Sequence, residues 1–129
     1  MPNPSRIVSR NLLASRRFYA AAARPLGLTV MDAAEGFIVG RAGRGVLLRV
    51  SDRAAADAPG DFESPPETRP ALVALEAADS SSVRAFYREA IRHGGETLAY
   101  PSVHAAGAGR YAARVSDPDG NCIECVLPV

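Results

Sequence analysis

Ser15–Gly27, "SRRFYAAAARPLG", recurs later in the chain as Ser82–Gly95, "SVRAFYREAIRHGG". Each copy starts at a serine, runs through Phe-Tyr into an alanine-containing stretch and stops at glycine. The apolar residues fall at helical spacing, Phe18, Ala22 and Leu26 in the first copy and Val83, Phe86 and Ala90 in the second. A helix with one apolar stripe must bury that stripe against something, and short β-like runs flank both copies. The chain therefore reads as two copies of a strand, a helix and three strands.

In the first copy a strand is expected near Ser5–Val8, and Asn11 is a suitable N-cap for the helix, which Gly27 ends. Strands over Leu28–Ala33, Phe37–Gly40 and Val46–Val50 follow, separated by the turn signals "AEG" and "AGRG". In the second copy Leu72–Ala77 is a strand and "DSSS" caps the helix. His93 falls in the last turn of that helix, where a basic group suits the dipole. Strands over Thr97–Tyr100, Arg110–Ser116 and Cys122–Leu127 complete the set. The stretch between the copies, "DRAAADAPGDFESPPETRP", is rich in proline and acid without apolar periodicity. It reads as an exposed connector, long enough to serve as a lid as well.

With 129 residues and 47% hydrophobic content the chain suits one domain with a real core. All fifteen basic residues are arginine against fourteen acids, with no basic block and no aromatic interleaving. That pattern argues against nucleic acid or an anionic membrane as partner, and the lack of lysine excludes Schiff-base chemistry. The opening "MPNPSRIVSR" has no apolar signal region and no stretch is long enough to span a bilayer, so a cytoplasmic location is expected. Cys122 and Cys125 are spaced C-x-x-C. On a strand, however, residues three apart point to opposite faces, and two half-buried or core thiols are expected instead of a redox pair. Phe18, Tyr19, Phe86 and Tyr87 read as packing residues, and no nucleotide-binding or α/β-hydrolase motif is present.

The last distinctive stretch is Asp117–Glu124, "DPDGNCIE". Pro118 presets φ, Gly120 tolerates positive φ, and the side chains of Asp117 and Asn121 can bond nearby backbone, so the chain reverses and two strands pair. Alternation then sets Cys122, Glu124 and Val126 on one face and Ile123, Cys125 and Leu127 on the other. A five-residue loop places Arg114 opposite Glu124, whereas a four-residue loop places it opposite Ile123. Both registers are compatible with the sequence.

The two copies, Ser15–Tyr19, "LGL" at Leu26–Leu28 and "DPDGNCIE" together resemble the vicinal oxygen chelate superfamily, which includes glyoxalase I, bleomycin-resistance proteins and extradiol dioxygenases. The resemblance covers nearly the whole chain. It implies an α+β fold of two βαβββ modules forming a curved mixed sheet around a central cleft. On this reading residues 1–129 are a single domain, with the first module at about 1–52, a linker at 53–69 and the second module at about 70–129.

Metal-dependent members take ligands, commonly histidine, from the first strand of each module and a glutamate from the last strand. Glu124 matches that glutamate, but the matched histidine positions fall at or near Pro4 and Leu72, which cannot ligate. The chain has only His93 and His104. One carboxylate is a poor transition-metal site, so no cofactor is expected; a divalent ion (Zn, Ni, Mn or Fe) would need a shifted ligand such as His104. Arg114 is then the expected counter-charge to Glu124. Tyr111 and His104 flank the glycine-rich "AAGAG" and are ligand-binding candidates, as are Phe37 and Arg49 from the first module. The resemblance implies a metal-independent binder of a small apolar or aromatic molecule, in a homodimer. The alternatives are a divergent glyoxalase-like lyase or dioxygenase in which Glu124 or His104 is catalytic, and a structural dimer subunit without a ligand.

Overall fold

The computed structural model describes residues 5–41, 45–53, 71–103 and 109–128. Pro4, His104 and residues 54–69 of the expected linker lie outside them. The first module comprises β1 (Ser5–Ser9), α1 (Leu12–Ala23), β2 (Thr29–Ala33), β3 (Gly36–Arg41) and β4 (Gly45–Asp52). The second comprises β5 (Leu72–Glu76), α2 (Ser80–Arg92), β6 (Glu96–Val103), β7 (Tyr111–Ser116) and β8 (Cys122–Val126).

Each helix begins where its capping residue dictates. The side chains of Asn11 and Asp79 accept hydrogen bonds from the backbone N–H groups of Ala14 and Ser82, taking up donors that the first turn leaves open. Helix α1 ends earlier than its terminating glycine suggests. Pro25 has no N–H to donate, so Arg24–Leu26 tightens into a 3-10 turn before Gly27 reverses the chain.

The two modules repeat one topology. The strand orders are β1-β4-β3-β2 and β5-β8-β7-β6, with the first and last strands of each module parallel and the remaining pairs antiparallel. The architecture is thus α+β, two βαβββ modules with two four-stranded mixed sheets. One face of each sheet is covered by helix: Phe37, Leu48 and Val50 in the first module and Val73, Val115, Ile123 and Cys125 in the second are essentially inaccessible. These residues, with Phe18, Tyr19, Val83 and Phe86 from the helices, form one continuous core. Because α1 and α2 also pack on each other, the helices lie between the covered faces and the opposite face of each sheet points outward.

The modules are joined by polar contacts as well as by the core. Asp117, 3% exposed, accepts from the Tyr19 hydroxyl (2.6 Å), the Asn121 amide (2.9 Å) and the backbone N–H groups of Asp119 (2.9 Å) and Asn121 (2.8 Å). Asn121 accepts in turn from the Ala71 N–H at the entry to β5, and Asp119 from the Arg10 N–H ahead of α1. One turn thereby ties together the β7–β8 hairpin, the first helix and the start of the second sheet. Gly120 closes it with φ +88°, a region disfavoured for other residues. Gly95 serves the same junction differently: a Cβ there would lie 2.8 Å from the Phe18 ring and 2.9 Å from the Ser116 carbonyl oxygen, so only glycine lets the first helix seat against the second module.

Burial, then the neighbouring Asp117 charge, holds the Tyr19 phenol well above its ordinary pKa. Folding therefore keeps a proton that the unfolded chain releases above about pH 10, and this contribution is present below pH 10 and lost as pH rises beyond it. Tyr19→Phe removes a bond to a charged acceptor and is expected to cost about 1.5–3 kcal/mol near neutral pH. Urea denaturation should show that loss, and above pH 10 the wild type should lose stability faster than the variant by about 1.4 kcal/mol per pH unit.

Candidate functional site

The β7–β8 register resolves the alternatives left by the sequence. Ser116 pairs with Cys122, so the loop is the five residues Asp117–Asn121, and Arg114 stands directly opposite Glu124. The two side chains share the outward face of the second sheet. Arg114 Nε donates to Glu124 Oε2 at 2.8 Å, with the guanidinium side chain 29% and the carboxylate side chain 13% exposed. Such a half-buried pair is costly to break from one side, because the surviving charge remains poorly solvated. Glu124 Oε1 and the terminal nitrogens of Arg114 have no other hydrogen bond among the described residues and can still meet a ligand.

Around this pair the outward face is mostly apolar. Ala74 lies beside Glu124 on β5, and Leu72, 64% exposed, lies beside Cys122. Leu72, the matched histidine position, thus shares a face with Glu124 without being able to ligate, and Ala74 cannot either. Cys122 and Glu76, the latter on β5 beside Val126, are further donors on that face; the C-x-x-C reading passed over Cys122 because it concerned only the relation of the two thiols. Among the described residues no group of three or more His, Cys, Asp or Glu could hold a metal ion, and one oxygen of Glu124 is already committed to arginine. The described residues around Glu124 do not by themselves make up a divalent metal site, and His104 lies outside them.

The first module supplies a second outward face. Arg49 is exposed there, opposite Arg6 on β1 and Ile38 on β3, with Met31 beyond on β2. Phe37 is not on this face, contrary to expectation. It pairs with Val50, alternates to the helix side and is fully buried, its ring centroid 5.9 Å from that of Tyr19. Tyr111 is likewise turned from the site: it shares the helix-side face of β7 with the core residues Ala113 and Val115 and packs against the core edge. Phe37 is a candidate as an aromatic and Tyr111 through its place beside the glycine-rich segment, whereas strand parity decides the direction of both. His93 caps α2, its Nδ1 2.9 Å from the Glu89 carbonyl oxygen, and borders a shallow open pocket of about 290 Å³ on the helix side with Ala14, Arg17, Gly94 and Pro118. That pocket is separate from Glu124.

The duplicated βαβββ topology with a glutamate closing the second sheet can now be set beside known proteins. The model of the Glyoxalase/Bleomycin resistance protein/Dioxygenase superfamily matches residues 3–125. The chain belongs to this superfamily. Solved structures of the superfamily share the fold over nearly their full length. A glyoxalase/bleomycin resistance protein from Albidiferax ferrireducens T118 superposes with a TM-score of 0.77 at 21% identity, covering 98% of each chain. A lactoylglutathione lyase from Agrobacterium tumefaciens gives 0.68 at 19% identity, covering 98% of this chain and 92% of that one. A glyoxalase/bleomycin resistance protein/dioxygenase family enzyme from Burkholderia phytofirmans PsJN gives 0.67 at 14% identity, covering 96% and 95%. No curated protein sequence matches the chain. At these identities the superfamily fold is shared and the ligand is not thereby specified.

The two cysteines differ in access but not in the direction of their shifts. Burial, reinforced by Glu124, pushes the Cys125 thiol up to about 12, and burial also raises Cys122. Both are therefore protonated at neutral pH, and the reactive thiolate grows only as pH rises. Iodoacetamide at pH 7.5 should label Cys122 slowly and Cys125 only in denaturant, with Cys122 labelling accelerating toward pH 9; mass spectrometry of the tryptic fragment checks this.

Proposed function

We propose that this superfamily member binds a small apolar or aromatic molecule without a metal, in a pocket formed when the outward faces of two copies meet. The observation that carries the reading is the Arg114–Glu124 ion pair. It occupies the site of the superfamily's glutamate, satisfies that carboxylate within the chain and leaves spare donors and an acceptor among apolar neighbours. Pockets of this composition, apolar with a few directed polar groups, suit small-molecule recognition.

A second copy supplies what one chain lacks. The helices occupy the interior between the two sheets, so no described helix covers the outward faces. Met31 and Leu47 on the first sheet and Leu72 on the second are exposed by 57%, 39% and 64%. Apolar surface of this kind is favourable to bury, and joining the first sheet of one copy to the second sheet of another encloses both. No described helix is long and apolar enough to cross a membrane, and we place the dimer in the cytoplasm. On this reading Leu72→Arg shifts the dimer to monomer in sedimentation equilibrium while circular dichroism is unchanged.

The competing reading is a metal-dependent lyase or dioxygenase with Glu124 as ligand or general base. It draws on Glu124 and Cys122 sharing a face. Elemental analysis of the purified protein, with calorimetric titration of Zn, Ni, Mn and Fe, separates the two. The binder reading expects no stoichiometric metal and no change in metal uptake on Glu124→Ala. Tight one-to-one metal binding abolished by Glu124→Ala would overturn it.

A further inference from the structure

We infer that Arg6 and Arg49 form an anion-binding subsite on the outward face of the first sheet, selecting a ligand that joins an apolar body to a carboxylate or phosphoryl group. The inference rests on the binder reading above and adds the charge class of the ligand.

Arg6 and Arg49 are direct partners in the parallel β1–β4 pair, both exposed and both on the outward face. Like charges placed opposite each other across two strands repel. Some arginines of the chain are compensated, Arg16 by Asp32, Arg41 by the Leu26 carbonyl and Arg114 by Glu124, whereas others stand singly on the surface; Arg6 and Arg49 differ from these in being direct cross-strand partners. Arg6 and Arg49 have neither hydrogen bond nor ion pair among the described residues. Nor does any described residue of that face carry a carboxylate; the neighbours are apolar or small, among them Val8, Ile38, Met31, Leu47 and Ser51.

The internal repeat shows how unlike the two modules are at this point. Arg6 follows the same strand position as Ala74, one residue before the core residues Ile7 and Leu75. Arg49, the partner of Arg6, therefore corresponds to Glu124, the partner of Ala74. The second module carries a balanced pair where the first carries two uncompensated cations. When the two faces enclose a pocket, the second sheet brings the balanced Arg114–Glu124 pair with Glu76 one row away on β5, and the first sheet brings two guanidinium groups with no acid. Those two adjacent groups match one dianionic head or a carboxylate with a further acceptor, and planar guanidinium forks suit both geometries. The surrounding Met31, Ile38 and Leu47 would then receive the ligand's apolar part.

The test compares phenylacetate, phenylphosphonate and neutral phenylacetamide by isothermal titration calorimetry at fixed ionic strength. Both anions should bind at least about tenfold more tightly than the amide, and Arg6→Gln or Arg49→Gln should each reduce anion affinity about tenfold while leaving the amide unchanged. The order of the two anions distinguishes a phosphorylated from a carboxylated ligand. Equal binding of all three probes would overturn the anion subsite while leaving the binder reading standing, whereas binding of none would remove both. Arg6→Gln that weakens dimerisation and leaves charge preference intact would assign the pair to subunit contact and overturn the subsite. Both positions are exposed, and circular dichroism melting of each variant confirms that the fold is kept.

Discussion

The buried Asp117 carboxylate holds this structure together at the point where its two halves meet. An ionised carboxylate without partners in a core is too costly to keep, and here four donors converge on it from two parts of the chain, the first helix and the turn itself. The Tyr19 hydroxyl comes from the first helix, and Asn121 carries the network on to the start of β5. The same turn sets a five-residue loop and hence the register of β8 on β7. The Arg114–Glu124 pair depends on that register, because a slip of one residue would turn Glu124 toward the helices. Fold and site therefore share one determinant.

A consequence of placing both helices inside is that each sheet keeps one face for outside use. The two faces have diverged within a common scaffold. In the second module Glu124 is neutralised by Arg114, whereas in the first the corresponding row carries Arg6 and Arg49 without an acid. The proposed pairing of two copies would bring these two chemically different surfaces together in one pocket. Stability is drawn from the covered faces and specificity from the outward ones, so residues on the latter can change without disturbing the core.

Much of the architecture was legible because it rests on local signals. Helical spacing in the repeats, the caps Asn11 and Asp79 and the glycines at turns each have a physical reason that needs no knowledge of distant neighbours. The failures were equally physical. The 3-10 turn at Arg24–Leu26 follows from the missing N–H of Pro25. Phe37 is a ligand candidate as an aromatic and Tyr111 as a neighbour of the glycine-rich segment, yet alternation turns both toward the core. Tyr19 was read correctly as a packing residue, but nothing in its spacing indicates that its hydroxyl meets Asp117 from the other module.

By itself the sequence determined the duplicated module, the superfamily and the absence of histidine from the positions expected to accompany Glu124. These follow from patterns a few residues long and from residue identity, which folding does not alter. Only the tertiary structure decided that Arg114 faces Glu124, that Arg6 stands beside Arg49, and that both polar rows look outward. Those facts depend on strand register and on which side of a sheet the helices cover, and register is set by contacts between residues far apart in the chain. For the closing "DPDGNCIE" the local turn was readable, while the ion pair that Glu124 makes was decided by the residue across the hairpin.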